Sequence, residues 1–291
     1  MERSAVSITM QKQYLLWALG LSVILSVAAC SGSDKEHVDP DGKPIVEAQT
    51  PVEDLYNQAA DTLDDKKYLE AKKMFEDVER QYPYSKWATK AKLMAAYAAY
   101  EADRYDEGIL ALERFIELHP GNEDIDYAHY LRALAYYEQI SDVARDQAMT
   151  EMALKSLDTL ITRFPNSEFT RDAKLKRDLT LDHLAGKEME IGRYYLNRNQ
   201  VNAAINRFTN VVRDYQTTTH VPEALHRLVE SYLTLGLESE AVRVAAVLGH
   251  NYPGSDWYED TYKILKPASR EKILDNRSFV DKTIDSLFKP D

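Results

Sequence analysis

The 291-residue sequence contains a single cysteine, Cys30. One cysteine cannot form a disulfide within the chain, and it cannot supply a metal site built from several thiolates. Whatever Cys30 does, it does without a second thiol.

The chain also lacks an excess of basic residues. It has 36 Lys and Arg against 48 Asp and Glu, which gives a formal charge of −12 at pH 7. A chain of this charge repels a phosphate backbone on balance. We therefore expect no nucleic-acid partner.

Signatures of enzymes and metalloproteins are missing as well. The seven histidines show neither HExxH nor zinc-finger spacing, and the sequence has no GxGxxG, Walker loop or GxSxG. The many acidic residues follow the polar faces of predicted helices and are most simply solvated surface. We expect no catalytic residue, no metal site and no bound cofactor.

Long apolar runs are scarce, and the clearest one covers the 16 uncharged residues from Tyr14 to Ala29. It follows Lys12 and ends in small residues, which is the pattern of a secretory signal peptide. It is short for a membrane-spanning helix, which needs about 20 apolar residues. Residues 1–29 are therefore predicted to be a signal peptide.

The residues VAAC at positions 27–30 resemble the lipobox of bacterial lipoproteins. This resemblance implies cleavage before Cys30 and a covalent lipid on its sulfur, whereas a free or buried cysteine beside an ordinary signal peptide is the alternative. Ser31 implies, by the sorting rule of Gram-negative lipoproteins, anchoring at the periplasmic face of the outer membrane. Residues 30–50, rich in Asp, Gly, Ser and Pro, predict a lipidated flexible tether.

Beyond the tether a short phrase recurs: RQYPYS, ELHPGN, TRFPNS, RDYQTT and HNYPGS. The equivalent residues are 83, 120, 165, 216 and 253, and the uneven spacings indicate a repeat array with two insertions. A small residue precedes each by twelve positions: Ala71, Gly108, Ala153, Ala204 and Ala241. Amphipathic helical patterns fill the intervals, so stacked helix pairs are predicted.

These repeats resemble the tetratricopeptide repeat. The resemblance implies an all-α superhelix of about five helix pairs. The insertion before residue 165 falls in EQISDVARDQ and lengthens a loop, whereas the insertion before residue 216 has helical character and no proline, so it predicts one long helix that joins two repeat groups. That helix is predicted from about Ser167 to Asn197, and a break at Ala185–Gly186 is the alternative. The predicted regions are 51–166 for repeats one to three, 167–265 for the long helix with repeats four and five, and 266–291 for a C-terminal tail. The tail is either disordered or a short amphipathic segment.

Tyrosine is abundant, with 19 copies. In tetratricopeptide arrays the first helix of each pair lines a groove, and the equivalent positions in repeats one to three are mostly tyrosines, whereas those in repeats four and five are poorer in aromatics. They form the candidate substrate-peptide groove: Tyr56, Leu93, Tyr97, Tyr100, Tyr127, Tyr130 and Tyr137. Such a stripe can serve packing between repeats, but a rigid ring with a hydroxyl also suits an extended peptide.

Several phrases together resemble the BamD family of lipoproteins in outer-membrane β-barrel assembly, among them VERQYPYSKWATKAKLMAAYAAYEADRYDEGI, DHLAGKEMEIGRYYL and AAVLGHNYPGS. The resemblance implies a non-enzymatic, lipid-anchored scaffold that binds a BamA-like barrel subunit, other assembly lipoproteins and unfolded outer-membrane proteins. Carried over by position, Glu190, Arg193 and Arg207 are the candidate BamA contacts, although exposed helix charges often contribute little. A periplasmic tetratricopeptide adaptor for another envelope or cell-wall assembly process is the alternative.

Overall fold

The computed structural model describes residues 51–267, and these form eleven α-helices without a strand. The predicted signal peptide, tether with Cys30, and C-terminal tail lie outside the described residues, except for positions 266 and 267. The helices are α1 Pro51–Asp64, α2 Tyr68–Gln81, α3 Lys86–Glu101, α4 Tyr105–Leu118, α5 Ile125–Tyr137, α6 Ala148–Arg163, α7 Thr170–Asn197, α8 Val201–Asp214, α9 Val221–Thr234, α10 Glu238–Asn251 and α11 Asp256–Ile264. The predicted all-α class is confirmed.

The first ten helices form five consecutive pairs, and each helix packs on the next along the chain. Four of the pairs turn through one residue with a positive φ: Lys66, Asp103, Asn199 and Gly236. The third pair instead uses residues 138–147 between α5 and α6, which is the predicted insertion. The repeat spacing therefore identified the pairs, and the irregular spacing identified the one longer loop.

The small residue of each repeat allows two helices to approach closely. Ala71, Ala153, Ala204 and Ala241 have no exposed surface, and Gly108 is also buried. The aromatic residue one helical turn later fills the space between paired helices, as Phe75 and Phe208 do with zero exposure. Burying one such ring contributes on the order of 2–3 kcal/mol.

Helix α7 is continuous for 28 residues, about 42 Å, and passes through Ala185 and Gly186 without a break. Both residues are buried in the helix, and a Cβ placed on Gly186 would lie 3.2 Å from His220 Nε2 and 3.8 Å from Val143. The alternative of a break at this point is therefore wrong. The helix begins at Thr170, where the Thr170 hydroxyl donates to the Phe164 carbonyl at 2.6 Å across the preceding turn.

Candidate binding surfaces

The first helices of successive pairs lie beside one another: α1 contacts α3, α3 contacts α5, and α5 contacts α7. We call the surface that they share the tyrosine face, defined by Tyr56, Tyr97, Tyr100, Tyr127 and Tyr137. All five rings are partly buried and partly exposed. Five of the six predicted groove tyrosines therefore lie on neighbouring helices and retain surface that another molecule can contact, whereas Tyr130 is buried.

At the amino-terminal end of the tyrosine face, Tyr56 packs against two aromatic rings. Its ring centroid lies 5.4 Å from Phe75 in an edge-on arrangement and 4.8 Å from Trp87. Burial raises the Tyr56 pKa, and the nearby Asp124 carboxylate raises it further. Asp124 is the N-cap residue of α5, two helix pairs along the chain, and its side chain makes no capping hydrogen bond.

In the middle of the face, Tyr97 and Tyr100 occupy successive turns of α3. Burial raises the pKa of both phenols, and Glu101 raises both further, while Glu138 also acts on Tyr100. The Tyr100 ring lies 5.7 Å from the ring of Tyr105, whose hydroxyl donates to Asp103 at 2.8 Å. These phenols remain protonated hydrogen-bond donors at physiological pH.

Near α7, Tyr130 is enclosed by residues at the start of that helix. Its ring stacks on Phe169 at 4.9 Å, and its hydroxyl donates to Asp172 Oδ2 at 2.6 Å. Tyr127 also lies 5.2 Å from the Phe169 ring. Tyr130 is 9% exposed and therefore ties α5 to α7 from within the packing.

The remaining two predicted groove residues differ from each other. Leu93 is 5% exposed and packs in the core with Leu112 and Phe115, away from the accessible surface. Tyr137 stays partly exposed, and the Lys176 ammonium lies 5.4 Å from its ring centroid. Leu93 and Tyr130 occupy equivalent positions in successive repeats. Both side chains are buried by neighbouring helices.

In the carboxy-terminal repeats, ion pairs take the place of the tyrosines. Arg193 of α7 donates from Nη1 to both oxygens of Glu223 on α9, at 3.1 and 3.0 Å. Arg227 also pairs with Glu223 at 3.4 Å and with Glu230 at 2.7 Å. Hydrogen bonding to His226 and the Arg227 charge lower the Glu230 pKa to about 2, against the opposing effect of burial. This surface is a connected charge network between α7 and α9.

The predicted BamA contacts do not form one cluster. Arg207 on α8 donates to Glu188 Oε1 at 3.1 Å, and Asn210 donates to Glu188 Oε2 at 3.0 Å. Glu190 and Arg193 instead line a cleft of about 500 Å³ between α7, the 142–144 loop and His220. Residues 188 and 190 differ by 200° around a helix, so the two groups occupy different sides of α7.

Sequence reasoning missed the partners of these residues. Phe169 and Asp172 hold Tyr130, Glu188 binds Arg207, and Glu223 binds Arg193. The phrase FPNSEF could have indicated an aromatic at the turn before α7. The ion pairs depend on the rotation of each helix about its axis, which the repeat spacing does not supply.

Residues 51–267 contain neither a cluster of metal ligands nor a membrane-spanning helix. Within that range, three or more His, Cys, Asp or Glu side chains nowhere meet in an arrangement able to hold a metal ion. Within the same range, each helix is too short or too polar to cross a membrane.

The chain is similar to a known protein family over most of its length. Residues 48–248 match the YfiO family, described as an outer membrane lipoprotein. The chain is 51% identical over 243 residues to the outer membrane protein assembly factor BamD of Caulobacter vibrioides, covering 84% of this chain and 78% of that protein.

Two other relatives carry the same name. The protein of Rickettsia prowazekii is 46% identical over 246 residues, which cover 84% of this chain and 96% of the relative. The protein of Neisseria meningitidis serogroup A is 35% identical over 256 residues, which cover 84% and 93%.

Proposed function

Because this chain belongs to the YfiO family of outer-membrane lipoproteins, with BamD assembly factors as its relatives, we propose that it binds both a BamA-like barrel subunit and segments of unfolded outer-membrane proteins. Family membership makes it an assembly factor at the outer membrane and a scaffold rather than an enzyme. The proposal assigns the unfolded segments to the tyrosine face and the barrel subunit to the carboxy-terminal repeats.

One observation supports this division above the others: the chemical character of the first helices changes along the array. Helices α1, α3 and α5 present partly exposed tyrosine rings, whereas α7 and α9 present the Arg193–Glu223 pair. Rings that keep exposed surface suit unfolded segments of varied sequence, because aromatic contacts need no fixed hydrogen-bond pattern. Fixed charge pairs suit one folded partner, because charge complementarity sets orientation.

A cross-linking experiment tests the tyrosine face. A photoreactive phenylalanine analogue at Tyr100 or Tyr137 is expected to cross-link an unfolded outer-membrane protein, and the same analogue at Tyr84 is not. Tyr84 is fully exposed in the turn between α2 and α3, so it controls for accessibility. Equal cross-linking at all three positions would remove the tyrosine face from the proposal.

For the barrel subunit, Arg207 is the sharpest residue to test. Its side chain is 37% exposed and uses only Nη1 toward Glu188, so its other N–H groups are available to an acidic partner. R207E should weaken binding of the periplasmic domains of BamA about tenfold or more. Arg80, an exposed arginine in the last turn of α2 that pairs with Asp77, lies outside the carboxy-terminal repeats and supplies the control R80E.

The swap E188R/R207E separates a direct contact from an internal one. If Arg207 contacts the partner, restoring the internal pair leaves binding weak. Recovery of full affinity in the swap would show that Arg207 only positions α7 against α8. Calorimetry on the full mature chain measures both variants.

We also propose that a lipid on Cys30 anchors the chain, with residues 30–50 as the tether. The lipobox-like VAAC and the lipoprotein family support this assignment. Several acyl chains are needed for stable attachment, because one chain binds a membrane only marginally. C30A should yield a soluble periplasmic product that incorporates no labelled palmitate, and a labelled C30A product would contradict the assignment.

A further inference from the structure

In each of the first three helix pairs, the first helix ends on an acidic residue. Helix α1 ends at Asp64 and α3 at Glu101, and Glu138 caps α5. These residues follow one another at intervals of 37, so each occupies the same place in its repeat. We call this row the carboxylate edge of the tyrosine face.

An acidic residue at this place is electrostatically unfavourable. The carboxyl end of a helix carries partial negative charge, so a cation there stabilises the helix by about 0.3–1 kcal/mol and an anion has the opposite effect. The last turns of α1, α3 and α5 contain no basic residue, whereas α2, α6 and α8 follow the rule with Arg80, Arg163 and Arg213. Acidic residues also lie in the last turns of α4 and α8, as Glu117 and Asp214, but Asp214 is paired with Arg213 and only α1, α3 and α5 carry the tyrosines beside them.

Within the described residues, none of the three carboxylates forms an ion pair with Lys or Arg. Among the basic residues close in sequence, Lys67 pairs with Asp65 at 2.9 Å and Arg104 lies near Glu107, while Lys66, in the turn after α1, forms no ion pair with Asp64. In the carboxy-terminal repeats the opposite holds, since Glu188 and Glu223 each bind an arginine. Within the described residues, the carboxylate edge is therefore not neutralised by an internal ion pair with Lys or Arg.

The rings beside the edge share this environment. Burial is the main reason that the pKa values of Tyr97 and Tyr100 are raised, and Glu101 raises both further, with Asp64 also acting on Tyr97 and Glu138 on Tyr100. Aromatic rings and carboxylates together attract a guanidinium or ammonium group through cation–π and ionic contacts. Lys176, 5.4 Å from the Tyr137 ring centroid, already makes such a contact within the chain.

We infer that the tyrosine face binds an extended segment that carries basic side chains beside its aromatic residues, with the basic groups held by Asp64, Glu101 and Glu138. Neighbouring helices lie about 8–10 Å apart, and an extended chain in the polyproline II conformation advances about 3.1 Å per residue and returns to the same side every three residues. Basic residues about three positions apart thus match the edge. A free terminal carboxylate is repelled, so the segment is recognised through its side chains. This inference rests on the proposed substrate role of the tyrosine face.

Four labelled twelve-residue peptides test the inference by fluorescence anisotropy with the full mature chain in detergent. Each ends in phenylalanine; two carry arginines three residues apart, two carry glutamines there, and each pair has a free acid and an amide form. The arginine amide should bind best, and losing both arginines should weaken binding roughly tenfold at low salt. The free acid should bind several-fold less tightly than its amide.

On the protein side, D64N/E101Q/E138Q should abolish the preference for arginine. The control E70Q/E117Q/E151Q makes the same charge change at exposed positions of α2, α4 and α6 and should preserve it. Thermal unfolding checks that the first variant folds, and no loss of stability is expected because the carboxylates lie at helix carboxyl ends.

The outcomes separate this inference from the proposed function. If arginine and glutamine peptides bind the unmodified chain equally, or the free acid binds best, the inference is overturned while the substrate role stands. If no aromatic peptide binds, both fail. These peptide-binding measurements use the unmodified chain. They therefore test the inference even if D64N/E101Q/E138Q does not fold.

Discussion

The same substitution at two glycines should change the stability of this array in opposite directions. Gly108 in α4 and Gly192 in α7 are both buried helical glycines of the repeat pattern. A Cβ at Gly108 would lie 3.5 Å or more from Ala96 O and other neighbouring atoms, an ordinary contact. A Cβ at Gly192 would lie 2.4–2.9 Å from three carbons of the Phe208 ring.

The magnitudes follow from two opposing effects. Alanine stabilises a helix interior by about 0.5–1 kcal/mol relative to glycine at either position. At Gly192 the added methyl also overlaps a ring that has no exposed surface, and overpacking of this kind costs about 1–3 kcal/mol. We therefore expect G108A to stabilise the chain by up to about 1 kcal/mol and G192A to destabilise it by up to about 2 kcal/mol.

Urea unfolding followed by circular dichroism at 222 nm measures both effects on the mature chain. G121A is the control, because nothing lies within 4 Å of a Cβ at that exposed turn. If G192A were as stable as G108A, Phe208 would have to move without cost. The close approach of α7 and α8 would then not be what requires glycine at position 192.

Two further predictions concern α5. His129 is 1% exposed, and burial followed by the Arg132 and Arg163 charges lowers its pKa to about 4. A neutral buried histidine contributes stability that is complete above pH 6.5 and is lost as the pH falls toward 4. In H129L, the free energy of unfolding in urea should therefore depend less on pH between pH 7 and 4.5. Y130F keeps the ring stacking but loses the bond to Asp172, and should lower the free energy of unfolding by about 1–3 kcal/mol in the same assay; unchanged stability would contradict a structural role for this hydroxyl.

The helix pairs could be predicted from sequence because their determinants are local. Small residues, aromatic residues and turn phrases recur at fixed offsets, and each acts within one pair. The continuity of α7 could not be predicted from local sequence alone, because glycine at position 186 disfavours a helix. The helix continues there with Val143 and His220 packed over Gly186, and these contacts are visible only in the structure.

The candidate sites were predicted less completely, for a geometric reason. Leu93 and Tyr56 occupy one repeat position, yet Leu93 is covered by the following helix pair while Tyr56 lies at the amino-terminal end of the array. Likewise, Arg207 selects Glu188 rather than Glu190 because two residues of helix separate opposite sides. Sequence periodicity identifies a residue's place in the repeat, whereas its exposure depends on which neighbours the array provides.

The continuous α7 also determines how the two proposed binding surfaces can cooperate. Phe169 and Asp172 at its start hold Tyr130 of the amino-terminal repeats, and Arg193 near its end holds Glu223 of the carboxy-terminal repeats. A hinge at Gly186 would let a bound segment and a bound barrel subunit move independently. Because the helix is unbroken and covered at that point, the two proposed surfaces instead keep a fixed position relative to each other, as a scaffold that presents one partner to another requires.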